Sequence, residues 1–158
     1  MMPFGHAAVS AVVAGGIWAA SGDWLKGAVA FAVGVLVDLD HIPEFTLLRG
    51  QPFRLNTFVR ACAESRAEKM YLVLHGWEYL IAIVIAAFLL RAPMWGVTLA
   101  APYFAHLVCD QFGNPVTVNA YWITYRWRHN FAAWAIINES SPVLAARRAR
   151  YGAHPQQS

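Results

Sequence analysis

Four apolar segments, at about residues 3–20, 24–39, 71–90 and 93–109, leave this chain few ways to fold. A helix that crosses a bilayer needs roughly 20 predominantly apolar residues, with about 17 as a lower limit. The 71–90 segment reaches that length clearly, and the other three are marginal, which suits a thin bundle. Composition points the same way. The chain is 58% hydrophobic and 13% charged, about half the charged fraction of an ordinary soluble domain. Mean hydropathy is +0.41. Seven Trp and six Tyr fit interfacial belts. The expected fold is all-α: an integral membrane bundle of about four transmembrane helices, with a cytoplasmic surface helix and an interfacial C-terminal segment.

The connections support this reading. Gly22 and Asp23 punctuate the first turn, Pro93 suits the first turn of the fourth helix, and Pro43 is expected to end the second just after His41. The polar stretch 44–69 carries Arg49, Arg54, Arg60, Arg66 and Lys69. Its second half, 56–70, reads as a short surface helix capped by Asn56 or Thr57. The tail carries Arg126, Arg128, Arg147, Arg148 and Arg150, whereas the two opposite connections hold only Lys26 and Arg91. The positive-inside rule then places both termini, the long loop and the tail in the cytoplasm. The N-terminal apolar stretch has no preceding Lys or Arg, so a retained helix is expected and not a cleaved leader. Cys62 and Cys109 form no CxxC pattern and read as free thiols. A net charge of +3 on so few charged groups is a topology signal and excludes nucleic acid as a partner. Residues 1–131 are read as one domain and 132–158 as a cytoplasmic tail.

The polar residues at the segment ends carry the chemistry. His6 opens the first segment, Asp38, Asp40 and His41 close the second, His75 opens the third, and His106 with Asp110 closes the fourth. In the expected topology all seven lie on the cytoplasmic side. Ionisable groups at membrane depth are costly and mark function. Asp38 and Asp40 are poor caps for a helix C-terminus, where the dipole favours cations. His106 and Asp110, four apart, share a helix face, as do His75 and Glu78, three apart. Imidazole with carboxylate suits zinc or manganese, and seven donors can serve one or two ions. Such ions would activate water and polarise a scissile group. Glu78 and Asp40 are the candidates for proton transfer. Arg126 and Arg128 are candidates for holding a phosphate, against plain anchoring to anionic lipid. His129 reads as a surface residue and His154 as tail. The blander reading of each ligand is a structural histidine, a cap or a buried ion pair.

These elements together resemble a bacterial family, the LexA-regulated, inner-membrane-associated metal-dependent hydrolases. The matching residues are Gly5-His6, Asp38-Leu39-Asp40-His41-Ile42-Pro43, His75, and His106-Leu107-Val108-Cys109-Asp110 followed by Gly113 and Pro115. The run from Trp122 to Phe131 also resembles the family's segment after its last helix. The resemblance covers about residues 4–131. Val37 stands where the family has Pro, and His75-Gly76-Trp77-Glu78-Tyr79 stands where the family shows a Thr-His-Ser step. The resemblance implies a multi-pass protein of the bacterial inner membrane that hydrolyses a lipid-type or membrane-proximal substrate. A phosphoester comes first, and a carboxylic ester or amide second. Membrane lipid and a second copy of the chain are the expected partners. A metal transporter or sensor, and a structural protein with a metal staple, are the alternatives. Transport is disfavoured because ligands at one face lack the midplane site and second gate that a transporter needs.

Overall fold

The computed structural model describes residues 3–48, 54, 57 and 69–151. Helix α1 spans Pro3–Ser21 and stops where Gly22 takes a left-handed φ of 66°, its amide returning to Trp18 O at 2.8 Å. A glycine there avoids the Cβ clash that other residues meet. Asp23 then caps α2, Trp24–Leu36, by accepting the Leu25 amide at 2.9 Å.

Beyond α2 the chain keeps winding but changes pitch. A tight 3-10 turn covers Val37–Asp40, one α turn covers His41–Pro43, and a wide π turn covers Glu44–Leu48. Pro43 therefore does not end the helical path, as the sequence suggested. It has no N–H to offer Leu39 four residues back, and the winding loosens around it. The expected surface helix at 56–70 lies largely outside the described residues. At its end Lys69 is extended and pairs with Ala132 in an isolated antiparallel bridge.

Helix α3 spans Trp77–Leu89 and α4 spans Pro93–Gly113. Three short helices follow: α5 at Ile123–Arg128, α6 at Ala133–Ile136 and α7 at Pro142–Tyr151. Helices α1 and α2 pack on each other, both pack on α4, and α3 flanks α4. The approach of α1 to α2 is close because Gly34 has no side chain. A Cβ there would stand 2.9 Å from Ser10 Cβ. Val37, Leu72, Tyr103, Leu107 and Tyr121 form the main core cluster.

All-α describes these residues well, but the membrane bundle does not. Among the described residues no helix is long and apolar enough to cross a membrane. This overturns the expected transmembrane helices and, with them, the multi-pass inner-membrane placement with cytoplasmic termini. The reasons are local. Helices α2 and α3 have 13 residues each, about 20 Å at 1.5 Å per residue, against roughly 30 Å of hydrocarbon. The apolar run at 71–90 is continuous in sequence, yet residues 71–76 are irregular loop, with Leu72 at a φ of 45°. Helices α1 and α4 are longer, at 19 and 21 residues. Helix α1 is diluted by His6, Ser10, Gly15 and Gly16, and α4 by Thr98, Pro102, His106 and Asp110.

The aromatic-basic segment after α4 is partly built into the core, although Trp122, Trp127 and Trp134 are exposed. Ala120, Tyr121, Arg126, Ala133, Ala135, Ile136 and Ile137 are all buried, and Leu144 of α7 packs with Ala133, Ile137 and Met70. Much of the apolar excess stays on the surface, as at Phe88, 83% exposed.

Candidate metal centre

Three kinds of local structure deliver the candidate ligands. Regular helix supplies His6 near the start of α1, and His106 and Asp110 near the end of α4. The tight turn after α2 supplies the next set. Three residues per turn eclipses i with i+3, so Asp38 and His41 come to one side, with His41 Nε2 3.7 Å from Asp38 Oδ1. The irregular 71–76 loop supplies His75.

Two imidazoles converge. His75 Nε2 and His106 Nε2 lie 3.2 Å apart. Asp110 Oδ2 is 3.3 Å from each of them. Asp38 Oδ1 is 3.6 Å from His75 Nε2 and 3.4 Å from His106 Nε2. His6 stacks on His106 with ring centroids 4.1 Å apart, and its Nε2 reaches Asp110 Oδ1 at 2.9 Å.

The groups behind the imidazoles set their tautomers. A carbonyl oxygen only accepts, so His106 Nδ1, 2.8 Å from Gly34 O, carries the proton. His75 Nδ1 likewise donates to Asp40 Oδ2 at 3.0 Å, and the same oxygen accepts the Leu74 amide at 2.8 Å. When both imidazoles are neutral, their Nε2 lone pairs therefore face each other. Two lone pairs at that separation repel unless a proton or a metal ion lies between them. A histidine braced at Nδ1 by a carboxylate or carbonyl is the usual arrangement behind a metal.

The electrostatics show how strongly the cluster attracts positive charge. Burial disfavours the His106 imidazolium, but hydrogen bonds with Asp110 and Asp38 outweigh it and push its pKa up to about 9. His75 is more deeply buried, yet Asp110, Asp38 and Asp40 raise it well above the ordinary value. For Asp110 burial again opposes the charge, and hydrogen bonds from His106, His6 and His75 hold its carboxyl well below the usual range. Burial and the neighbouring His75 push His41 down.

Two groups of donors are close enough to hold an ion. His6, Asp38, His106 and Asp110 form one, and Asp38, His41 and His75 the other, each with donor atoms within 4.8 Å of one another. Asp38 belongs to both. Its side chain and that of His41 are 26% and 27% exposed, whereas those of His6, His75, His106 and Asp110 are at most 3% exposed. The cluster is thus buried on one side and open at Asp38 and His41. The nitrogen and oxygen donors fit zinc or manganese. Two buried polar atoms at its edge, His6 Nδ1 and Asp40 Oδ1, have no hydrogen-bond partner among the described residues.

Six of the seven expected ligands sit in these two groups. The seventh, Asp40, stands behind His75. Glu78, expected to transfer protons, is elsewhere. Its Oε2 accepts the Ile123 amide at 3.0 Å, and its Oε1 accepts the Thr124 amide and hydroxyl, each at 2.9 Å. Glu78 caps α5, and its alignment with His75 in sequence is lost because residues 71–76 are not helical.

Arg126, expected to hold phosphate, is fully buried. Its Nη1 donates to Tyr71 O and, at 2.7 Å, to Leu72 O, and its Nη2 donates to His75 O. Arg128 is exposed and lines an open surface groove with Asn119, Trp122, Thr124 and Tyr125. His129 is half-buried, its Nδ1 held at 2.8 Å from Tyr125 O, and Cys109 is a free, half-buried thiol.

Sequence reading passed over several residues that shape the site. Glu44 accepts the Tyr71 and Leu72 amides at 3.2 and 3.1 Å. The Tyr103 hydroxyl accepts the Gly76 amide at 3.0 Å and points at Leu74 O and Gly76 O, 2.7 and 2.9 Å away. Asn114 donates to Asp110 Oδ1 at 2.7 Å and to the Tyr121 hydroxyl at 3.2 Å. Of these only Asn114 carried a signal, lying four residues beyond Asp110 on one helical face.

No protein-family model, curated protein or solved structure matches this chain. The resemblance to the metal-dependent hydrolases therefore rests on the motif residues themselves.

Proposed function

We propose that the chain is a metal-dependent hydrolase, with phosphoesters as the first substrate class and carboxylic esters or amides as the second. The observation that carries this reading is Asp38, shared by two overlapping donor groups on the open side of a buried histidine–carboxylate cluster. A carboxylate in that position suits two ions acting together, which is how many phosphoester hydrolases stabilise both the attacking and the leaving oxygen. The openness at Asp38 and His41 favours catalysis over a structural staple, whose ligands are normally closed off from solvent.

A metal held by these donors would supply Lewis acidity and lower the pKa of water. The chain's own residues divide the remaining work. His6, His106, Asp110 and Asp38 form the deeper donor set, and His41 and His75 complete the outer one. Asp40 fixes the His75 tautomer and balances its charge. Glu78 takes no part in proton transfer, because both its oxygens are engaged at α5. Arg128 is the one of the two expected arginines whose side chain reaches solvent, in a groove whose lining shares no residue with the donor groups.

The test is metal content by elemental mass spectrometry beside hydrolysis of a nitrophenyl phosphodiester, a nitrophenyl phosphomonoester and a nitrophenyl carboxylic ester. Wild type is expected to hold one or two zinc or manganese ions per chain. His106→Ala and Asp38→Ala are expected to lose metal and phosphoesterase activity together, by more than the roughly 10–100-fold typical of groups behind the ligands. Absence of metal after incubation with zinc or manganese, or hydrolysis unchanged in both variants, would sink the reading.

A further inference from the structure

His75 is the only candidate ligand carried on a segment with no regular backbone hydrogen bonding, and its aim must come from somewhere else. Residues 71–76 run as loop and turn, and Leu72 holds a left-handed φ of 45°. A non-glycine residue there is uncommon and persists when its surroundings over-determine it. The surroundings are side chains from distant elements. On the carbonyl edge, Arg126 of α5 donates to Tyr71 O, Leu72 O and His75 O. On the amide edge, Glu44 of the π turn accepts from Tyr71 and Leu72.

A guanidinium suits the first task because its donors diverge in one plane and reach several carbonyls at once. Its charge is buried, which is costly unless hydrogen-bonded, and three backbone carbonyls meet Nη1 and Nη2 while Nε has no partner among the described residues. Phe131 extends the grip. It stacks on Tyr71 with centroids 4.9 Å apart, and its carbonyl accepts the Met70 amide at 2.9 Å.

We propose that Arg126 is a positioning residue for His75, gathering the carbonyls of Tyr71, Leu72 and His75 while the Glu44 carboxylate gathers the amides of Tyr71 and Leu72, so that the two together aim His75 Nε2 at His106 and Asp110. The inference rests on the metal-centre reading for its consequence, but the grip itself is a property of the metal-free chain. Arg126 acts through the backbone of the loop, and Asp40 acts on the imidazole directly.

The experiment compares wild type, Arg126→Met and Arg126→Lys by two readouts. The first is zinc affinity by competition with a chromophoric chelator. The second is amide hydrogen exchange, in the metal-free protein, at Leu72, Leu74 and His75 against the amides of α4. Arg126→Met is expected to weaken zinc binding at least about 10-fold and to speed exchange in the loop while α4 keeps its protection. Arg126→Lys, which keeps the charge but not the planar fork, is expected to recover part of both. If Arg126→Met loses its helical circular dichroism, Arg126→Lys decides by the same two readouts.

Exchange in the loop that rises no more than in α4, or loop exchange and zinc affinity both unchanged in folded variants, would overturn the inference and leave the metal centre standing. A wild-type chain that binds no zinc would overturn the metal centre alone, because loop exchange still decides whether Arg126 holds the segment.

Discussion

His106 and His75 point their Nε2 atoms at the same place, yet the structure holds them there by different means. His106 sits on α4, where the backbone is satisfied by its own helix, and its Nδ1 rests on Gly34 O of α2. Its position depends on how closely helices approach. His75 sits on a loop whose one internal backbone bond, His75 N–H to Leu72 O at 2.9 Å, is supplemented by Arg126, Glu44, Tyr103 and Asp40. Its position depends on long-range side-chain hydrogen bonds. The first device rests on helix packing, with Pro102 one turn before His106 buried in that contact. The second is rigid only while every polar partner is in place, since a half-satisfied polar network is costly.

The comparison can be broken from either side. The largest effect is expected from Gly34→Ala, which strikes the helical device. Its Cβ would press on Ser10 Cβ of α1, at the upper end of the about 1–3 kcal/mol typical of overpacking. Shifting Gly34 also moves the carbonyl that braces His106, so zinc affinity should fall with stability in the same variant. Denaturant unfolding and chelator competition would read both, and a variant as stable as wild type would show that α1 and α2 can part freely.

Tyr103→Phe strikes the loop device. It removes the hydroxyl that serves the Gly76 amide and the Leu74 and Gly76 carbonyls, at a cost of about 2 kcal/mol for buried groups left unpaired. Unlike Gly34→Ala, it should leave the tautomer of His106 unchanged in nitrogen-15 spectra while loosening residues 71–76.

Glu78→Ala sharpens the contrast by removing the cap of α5, which contacts neither imidazole. A loss of about 1 kcal/mol is expected, with metal content unchanged. A large fall in metal content with the fold intact would return Glu78 to the site.

The most gradual effect, spread over several pH units, is a slope with pH in the metal-free protein. The folded pKa of His106 is raised to about 9, above its ordinary value. A raised pKa contributes stability that is fully present below the unfolded value of roughly 6.5 and is lost as pH rises toward 9. Unfolding free energy should therefore decline between those limits, and saturating zinc should flatten the decline, because metal binding displaces the proton. A flat profile without metal would mean that His106 is not held by Asp38 and Asp110 as described.

Most of the candidate site was legible before the fold. His6, Asp38, His41, His75, His106 and Asp110 stood out as ionisable groups at the ends of apolar segments, and they do converge. Such groups can be buried only if they meet partners, so their placement in sequence already implied company. Helical spacing alone paired His106 with Asp110. The same logic misread Glu78. Three-residue spacing puts it beside His75 only if both are on one helix, and the helix begins at Trp77, after His75. Arg126 was misread because an arginine in an aromatic run looks like a surface residue, and nothing local shows the carbonyls that enclose it.

The sequence by itself determined that the chain is helical and that seven polar residues mark the ends of its apolar segments, and the structure left six of them in the donor groups, with Asp40 behind His75. It could not determine where apolar surface would end up, because hydrophobicity is the same signal whether a segment faces a core, a partner or lipid. Only the tertiary structure decided that the third apolar run divides into a loop and a 13-residue helix. The physical reason is sequence distance. The loop's hydrogen bonds reach Glu44, 27 and 28 residues back, and Arg126, 51 to 55 residues ahead. No local pattern encodes partners so far away.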